Sequence, residues 1–171
     1  MITPAMRSKQ TIRPAVPGDA ESLSQLAMRS KAHWGYSQEF IDACRAELTV
    51  SSNDIEYSRI DYQVAEADGA VVGYYALSQE SADTFELEAM FVEPELIGTG
   101  VGRRLMQHAL ASLGNRGAAR LSIQSDPYAV DFYFAAGARQ VGVLESGSIA
   151  NRFLPLLEIQ INPLSGGKNV G

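Results

Sequence analysis

Three glycines, Gly98, Gly100 and Gly102, fall within five residues between an apolar run and an amphipathic helix pattern, and Arg103 and Arg104 follow directly. A glycine turn leading into a helix N-terminus gathers unpaired backbone N–H groups and the positive end of the helix dipole, so it is an anion site on physical grounds. Glycine lets the backbone approach the anion closely, and two arginines add charge that a merely structural turn does not require. Phosphate is the expected anion. Spacing rejects two phosphate motifs. A dinucleotide fingerprint read from Gly98 demands glycine where Arg103 stands, and the glycine-rich P-loop ending in Gly-Lys-Ser/Thr is absent.

Other residues carry chemistry of their own. In "TFELEAMFVEP" the apolar Phe85, Leu87, Ala89 and Phe91 alternate with Glu86, Glu88, Met90 and Val92, which predicts one buried strand face and one bearing two carboxylates. Such carboxylates serve as bases or are simply solvated. Tyr133, between Phe132 and Phe134, reads either as a proton donor or as a core tyrosine. "HWGYS" places His33, Trp34 and Tyr36 at a helix break, an unusual composition for a plain linker. Trp34 and Tyr36 suit a substrate stem, or a plug sealing the helices, and His33 suits proton exchange. Arg152 suits a substrate carboxylate or an internal acid. The other histidine, His108, reads as surface, and Cys44 as a small core residue. With two His and one Cys lacking ligand spacing, no metal is expected.

The elements that must position these groups follow from periodicity. "TIRPA" is a short strand, and "GDAESLSQLAMRSKA" spaces Leu23, Leu26 and Ala27 on one helical face with Asp19 as its cap. A second helix runs from Gln38 to Leu48. Asp68-Gly69 marks a hairpin between two strands rich in Val and Tyr, and the carboxylate strand ends at Pro94. From Val101 the positions Leu105, Met106, Ala109, Leu110 and Leu113 recur as a core-facing helix. "ARLSIQ" is a strand. In "SDPYAVDFYFAAGA", Asp126 caps, Pro127 starts and Gly137 stops a helix. Strands near Arg139 to Glu145 and Arg152 to Ile161 close the pattern, with residues 11–161 as one domain and 1–10 and 162–171 as mobile tails.

Composition bounds the rest. The 171 residues, 46% apolar, suit a single core. A net charge of -6 disfavours nucleic acid and anionic lipid as partners. Cys44 stands alone, so no internal disulfide forms, and neither a membrane span nor a signal segment is visible in "MITPAMRSKQ". A cytoplasmic location is the expectation.

The glycine stretch resembles the acetyl-CoA motif of the GNAT superfamily of N-acetyltransferases, Gln/Arg-x-x-Gly-x-Gly/Ala, with Gly100 and Gly102 on its small positions and Ile97 where the motif has Gln or Arg. "DPYAVDFYFAAGA" is similar to the family's N-x-x-A-x-x-F-Y-x-x-x-G-F segment, with Asp126 for Asn and Ala138 for Phe. The resemblance implies an α/β (α+β) fold with a mixed, mostly antiparallel sheet of about six or seven strands flanked by about four helices. It implies acetyl-CoA as co-substrate, its pyrophosphate held by Ile97, Gly98, Thr99, Gly100, Val101, Gly102 and Arg103. The pantetheine arm would bond to backbone at Met90, Phe91 and Val92 like an added strand, with Asp126 nearby. Tyr133 is then the acid for the leaving thiolate and Glu88 the base, directly or through water, with Glu86 as its alternate. His33, Trp34, Tyr36 and Arg152 would line the acceptor side. The implied activity is transfer of acetyl to an amine, on a small molecule or a protein, by direct attack. A catalytically silent acetyl-CoA sensor is the alternative, and a homodimer is possible.

Overall fold

The computed structural model describes residues 2–4 and 9–162. Seven strands form one sheet in the order β1-β2-β3-β4-β5-β7-β6. They are β1 (Thr11–Pro14), β2 (Asp61–Ala67), β3 (Ala70–Gln79), β4 (Thr84–Val92), β5 (Arg120–Gln124), β6 (Arg139–Glu145) and β7 (Phe153–Gln160). Every pairing is antiparallel except β4 with β5. The helices are α1 (Ala20–Ala32), α2 (Gln38–Leu48), α3 (Ser52–Tyr57), α4 (Val101–Asn115) and α5 (Val130–Ala135). The mixed, mostly antiparallel sheet and its flanking helices match the expected fold class.

A hydrophobic core lies on each face of the sheet. On one, Val101, Leu105, Met106, Ala109 and Leu113 of α4 pack with Tyr75, Phe85, Leu121, Leu157 and Tyr133. On the other, Leu23, Leu26 and Ala27 of α1 meet Cys44 and Leu48 of α2 against Val64 and Tyr74. The apolar spacing seen in the sequence is therefore what buries each helix, at roughly 1.5–3 kcal/mol for each fully buried large side chain.

Strand β4 departs from the expected alternation. Ala76 pairs with Ala89 while Leu77 pairs with Leu87, so Glu88 is an extra residue in a β-bulge. Beyond it the faces exchange. Phe85, Leu87, Met90 and Val92 face the α4 side, and Ala89 and Phe91 face α1 and α2. A bulge carries no hydrophobic signature, because it changes register without changing composition.

Three smaller findings follow from local chemistry. Asp19 does not cap α1 with its side chain; it accepts from Val16 N at 2.8 Å and binds the Arg13 guanidinium at 2.9 and 3.1 Å. Helix α3 was not expected, although Ser51 and Asp54 form a reciprocal capping box before it. His108 is exposed, yet its Nδ1 lies 2.7 Å from the hydroxyl of fully buried Tyr75. Of the expected N-terminal tail, Ile2 packs on the α4-side core and Thr3 donates to Asp68, while residues 1 and 5–8 lie outside the described residues. Residues 163–171 of the expected C-terminal tail also lie outside them.

Candidate active site

Strands β4 and β5 pair in parallel only at Thr84–Arg120, Phe85–Leu121 and Glu86–Ser122. Past that point they splay, which leaves the edge of β4 from Leu87 to Val92 without a strand partner. A cleft of about 540 Å³ fills the gap. One wall is Leu87 to Val92, the opposite wall includes Ile123 and Gln124, and the far end is the glycine turn.

At that turn the backbone needs glycine for two different reasons. Gly98 has φ +82° and Gly100 has φ +101°, conformations that strain any residue with a Cβ. Gly102 is helical, but a Cβ there would lie 3.2 Å from Phe132 Cε2 and 3.5 Å from Val92 Cγ2, so close packing is what fixes it. The first helical bond of α4 runs from Arg104 N to Gly100 O, 3.0 Å. That leaves the N–H groups of Val101, Gly102 and Arg103 without a backbone acceptor among the described residues. Ile97, Gly98, Thr99, Gly100, Gly102 and Arg103 all border the cleft. Val101 does not, being 1% exposed within the core, so only its backbone is available. Arg104 is likewise not part of the lining. Arg29 pairs with Glu93 at 2.7 Å and thereby ties α1 to the end of β4 just before the turn.

Midway along the cleft stand the two proposed proton carriers. Tyr133 is 6% exposed and lines the cavity. Its hydroxyl makes no hydrogen bond among the described residues and is not sealed from solvent, so it opens to the cleft. Burial, reinforced by the Asp126 carboxylate, raises its pKa and keeps the phenol protonated at neutral pH. Glu88, thrown outward by the bulge, also lines the cleft and accepts from Ser78 Oγ at 2.5 Å. Glu86 is not part of the lining. Burial first, then a hydrogen bond with the Glu80 carboxyl and repulsion from Glu88, push its pKa up to about 7.

On the side where the sequence places the acceptor, residues from four separate segments meet at Asp126. Its carboxylate accepts from Lys31 Nζ at 2.6 Å, from the Tyr36 hydroxyl at 2.9 and 3.0 Å and from Tyr128 N at 3.0 Å. Arg152 donates to the Tyr36 hydroxyl at 2.9 Å and lies 3.9 Å from Asp126. Burial alone would raise the Asp126 pKa, but Lys31 and the backbone bond outweigh it and hold the carboxyl below its ordinary range. Arg152 also lies over the Phe40 ring at 4.7 Å. It is thus committed to an internal acid, one of the two roles the sequence allows, and neither it nor Tyr36 borders the cleft. His33 is exposed and does not border it either. Trp34 does, stacked on Tyr128 with ring centroids 5.4 Å apart.

Sequence reasoning missed Lys31, Tyr128 and Glu47 as lining residues. Lys31 and Glu47 are charged positions on amphipathic helices, where solvation is the ordinary fate, so no local signal marks them. Glu47 accepts from Ser148 Oγ at 2.5 Å and so links α2 to the β6–β7 loop.

A glycine cradle at a helix N-terminus, opening onto an unpaired strand edge, has a counterpart among known proteins. The family described as "Acetyltransferase (GNAT) domain" matches residues 22–145. This chain belongs to the GNAT family. Among curated proteins it is 30% identical over 157 residues to an aminoglycoside N(6')-acetyltransferase type 1 of Stenotrophomonas maltophilia, covering 87% of this chain and 95% of that one. It is also 26% identical over 106 residues to a 5-NmdU N-acetyltransferase of Pseudomonas phage PaMx11, covering 61% and 69%. Among solved structures, the PaiA N-acetyltransferase of Thermoplasma acidophilum in complex with coenzyme A aligns with TM-score 0.71 and 19% identity, over 89% of this chain and 99% of that one. Like the family it belongs to, this GNAT chain is an acetyl-CoA-dependent N-acetyltransferase. No helix among the described residues is long and apolar enough to cross a membrane.

Proposed function

We propose that this GNAT domain acetylates a small cationic amine, with the acetyl donor lying along the open edge of β4 and its pyrophosphate on the N-terminus of α4. The observation that carries the reading is the continuity of the cleft, from the unpaired N–H groups of Val101 to Arg103, past the free edge of β4, to the Tyr133 hydroxyl and Glu88. The cradle fits a diphosphate: Gly98 and Gly100 keep side chains out of it, and Arg103 borders it. Backbone groups of Met90, Phe91 and Val92 suit an amide-rich arm, which binds as an added strand does. Ile97 offers no side-chain donor, so the backbone and Arg103 carry the phosphate contacts.

When bound, acetyl-CoA supplies an electrophilic thioester carbonyl and a thiolate leaving group. The chain's own residues manage the protons. An alkylammonium with pKa about 10 costs roughly 4 kcal/mol to deprotonate at neutral pH, and Glu88 is the carboxylate in the cleft to take that proton, directly or through water. The amine lone pair then bonds to the carbonyl carbon, and the carbon–sulfur bond breaks. Tyr133 gives its proton to the departing sulfur and is reprotonated by the second proton that the nitrogen loses as the amide forms.

Carboxylates of Glu47 and Glu88 on the acceptor side favour a cation, which accords with a relative that acetylates aminoglycosides. Trp34 and Tyr128 give that cation a flat apolar wall. Asp126, with Tyr36 and Arg152, holds this wall in place, and His33 stands at its outer rim. A homodimer, which the family resemblance leaves possible, is supported by an edge strand, β6, that no described strand covers. Thiol release from acetyl-CoA, measured with aminoglycosides, polyamines, amino acids and N-terminal peptides, tests the function. Turnover with a polycationic small amine is the expected result. Tight acetyl-CoA binding with no turnover on any amine favours the sensor instead, and turnover on peptides alone sinks the small-cation reading.

A further inference from the structure

Helix α1 buries Leu23, Leu26 and Ala27 on one face, and the next position along that face is Ser30. It is 7% exposed, at a place where the pattern calls for another apolar residue. Among the described residues three polar side chains are buried to this degree, Asp19, Ser30 and Ser125. Asp19 accepts from Arg13, and the Ser125 hydroxyl donates to Asp126 O at 2.8 Å. The Ser30 hydroxyl makes no hydrogen bond among the described residues and is not sealed from solvent, so it opens to the cleft that the residue borders. Ser24, on the same helix, shows the ordinary alternative by donating back to Ala20 O at 2.9 Å. A nearly buried hydroxyl without a protein partner is the exception in folded proteins, and on a cleft wall it points to a ligand.

The two neighbours of Ser30 fix where that ligand group lies. Arg29 pairs with Glu93, directly after β4, at 2.7 Å. Lys31 pairs with Asp126, just past the end of β5, at 2.6 Å. Successive residues of a helix point about 100° apart. With its neighbours tied to opposite walls, the Ser30 side chain is therefore directed between them, over the gap where β4 and β5 part. The Arg29–Glu93 pair sets this turn of α1 at the Val92 end of the open edge, away from Glu88. On the proposed placement of the acetyl donor along β4, on which this rests, we infer that the Ser30 hydroxyl donates to an amide carbonyl of the pantetheine arm. The strand edge holds the arm from one side through backbone groups, and Ser30 holds it from the helix side. A neutral hydroxyl suits a neutral amide at a nearly buried position, where an unpaired charge would be costly.

Calorimetry with two ligands tests this: acetyl-CoA, and the nucleotide fragment of CoA that keeps the pyrophosphate and lacks the arm. Ser30→Thr keeps the hydroxyl, and Ser30→Val puts a methyl group in its place at nearly the same shape. Ser30→Val should bind acetyl-CoA about fivefold more weakly than Ser30→Thr, while the two bind the fragment equally. Ser30→Ala should match Ser30→Val, which separates the lost hydroxyl from crowding. In steady state the same ratio should appear in KM for acetyl-CoA, with KM for the amine unchanged. An equal loss for both ligands, or a rise confined to KM for the amine, would overturn the inference. So would a difference in Tm between Ser30→Thr and Ser30→Val with no difference in affinity. Gly100→Asp separates Ser30 from the placement of the donor. If Gly100→Asp weakens both ligands while Ser30→Thr and Ser30→Val bind alike, the placement stands and Ser30 alone is refuted. If Gly100→Asp leaves both affinities unchanged, the placement and the inference fall together.

Discussion

The two ends of the cleft are built by different means. At the end proposed for the cofactor the groups on offer are backbone: two left-handed glycines, three N–H groups without a backbone acceptor among the described residues and a strand edge without a strand partner, all from the continuous segment Leu87 to Arg103. The end proposed for the acceptor is built by side chains, with Lys31 and Asp126 on the cleft and Tyr36 and Arg152 behind them, converging from segments up to 121 residues apart. Backbone recognition is fixed by conformation and tolerates most neighbouring substitutions. A side-chain cluster is fixed by packing and fails when one member is lost.

The largest effect expected from breaking the first end comes from Gly100→Asp. It forces a Cβ into φ +101° and sets a carboxylate beside the cradle, so acetyl-CoA affinity should fall at least about 100-fold in calorimetry while the chain stays folded. An unchanged affinity would move the pyrophosphate elsewhere. Tyr133→Phe comes next. Removing only the hydroxyl should lower the rate of the chemical step by about 100-fold and leave acetyl-CoA binding nearly unchanged. Normal turnover with a lowered melting temperature would instead make Tyr133 a packing residue.

Asp126→Asn breaks the second end. It leaves Lys31 and Arg152 facing a neutral partner in a site where the Lys31 and Asp126 side chains are 15% and 16% exposed, and should cost about 2 kcal/mol, several degrees in Tm. The native carboxyl is held below its ordinary pKa, so its contribution is present above that ordinary value and is lost as pH falls. The gap between variant and parent should therefore close on acidification. A gap independent of pH would contradict the charge-based account.

The smallest effect is expected at Glu86, between the two ends. Its pKa is raised to about 7, so its protonated form stabilises the fold below the ordinary carboxylate pKa, and that contribution is lost as pH rises through about 7. Glu86→Gln should raise Tm at pH 8 and change it little at pH 5. An equal change at both pH values would mean that Glu86 titrates normally.

Much of this was legible before folding. Helices α1, α2 and α4, the Asp68-Gly69 hairpin and the glycine turn each announce themselves within a window of some fifteen residues, because periodicity and positive φ are local properties. The exchange of faces at Glu88 was not, since a bulge is decided by how β4 registers against β3. Nor was the convergence on Asp126. Its sequence role as a cap is correct, as its side chain accepts from Tyr128 N, but Lys31, Tyr36 and Arg152 reach it only because α1, the α1–α2 connection and the β6–β7 loop close over the same end of the sheet.

By itself, then, the sequence determined a glycine turn running into a helix N-terminus, a backbone site suited to phosphate, because glycine spacing and helix polarity follow from covalent geometry and short-range hydrogen bonding, while the acetyl donor followed from the resemblance to the GNAT family. Tertiary structure alone decided that β4 and β5 part after Glu86 to open a cleft, that Glu88 rather than Glu86 borders it, and that Arg152 is held by an internal acid. Those outcomes depend on strand register and on contacts between residues far apart in the chain. Burial of the two cores, and not any local preference, selects them.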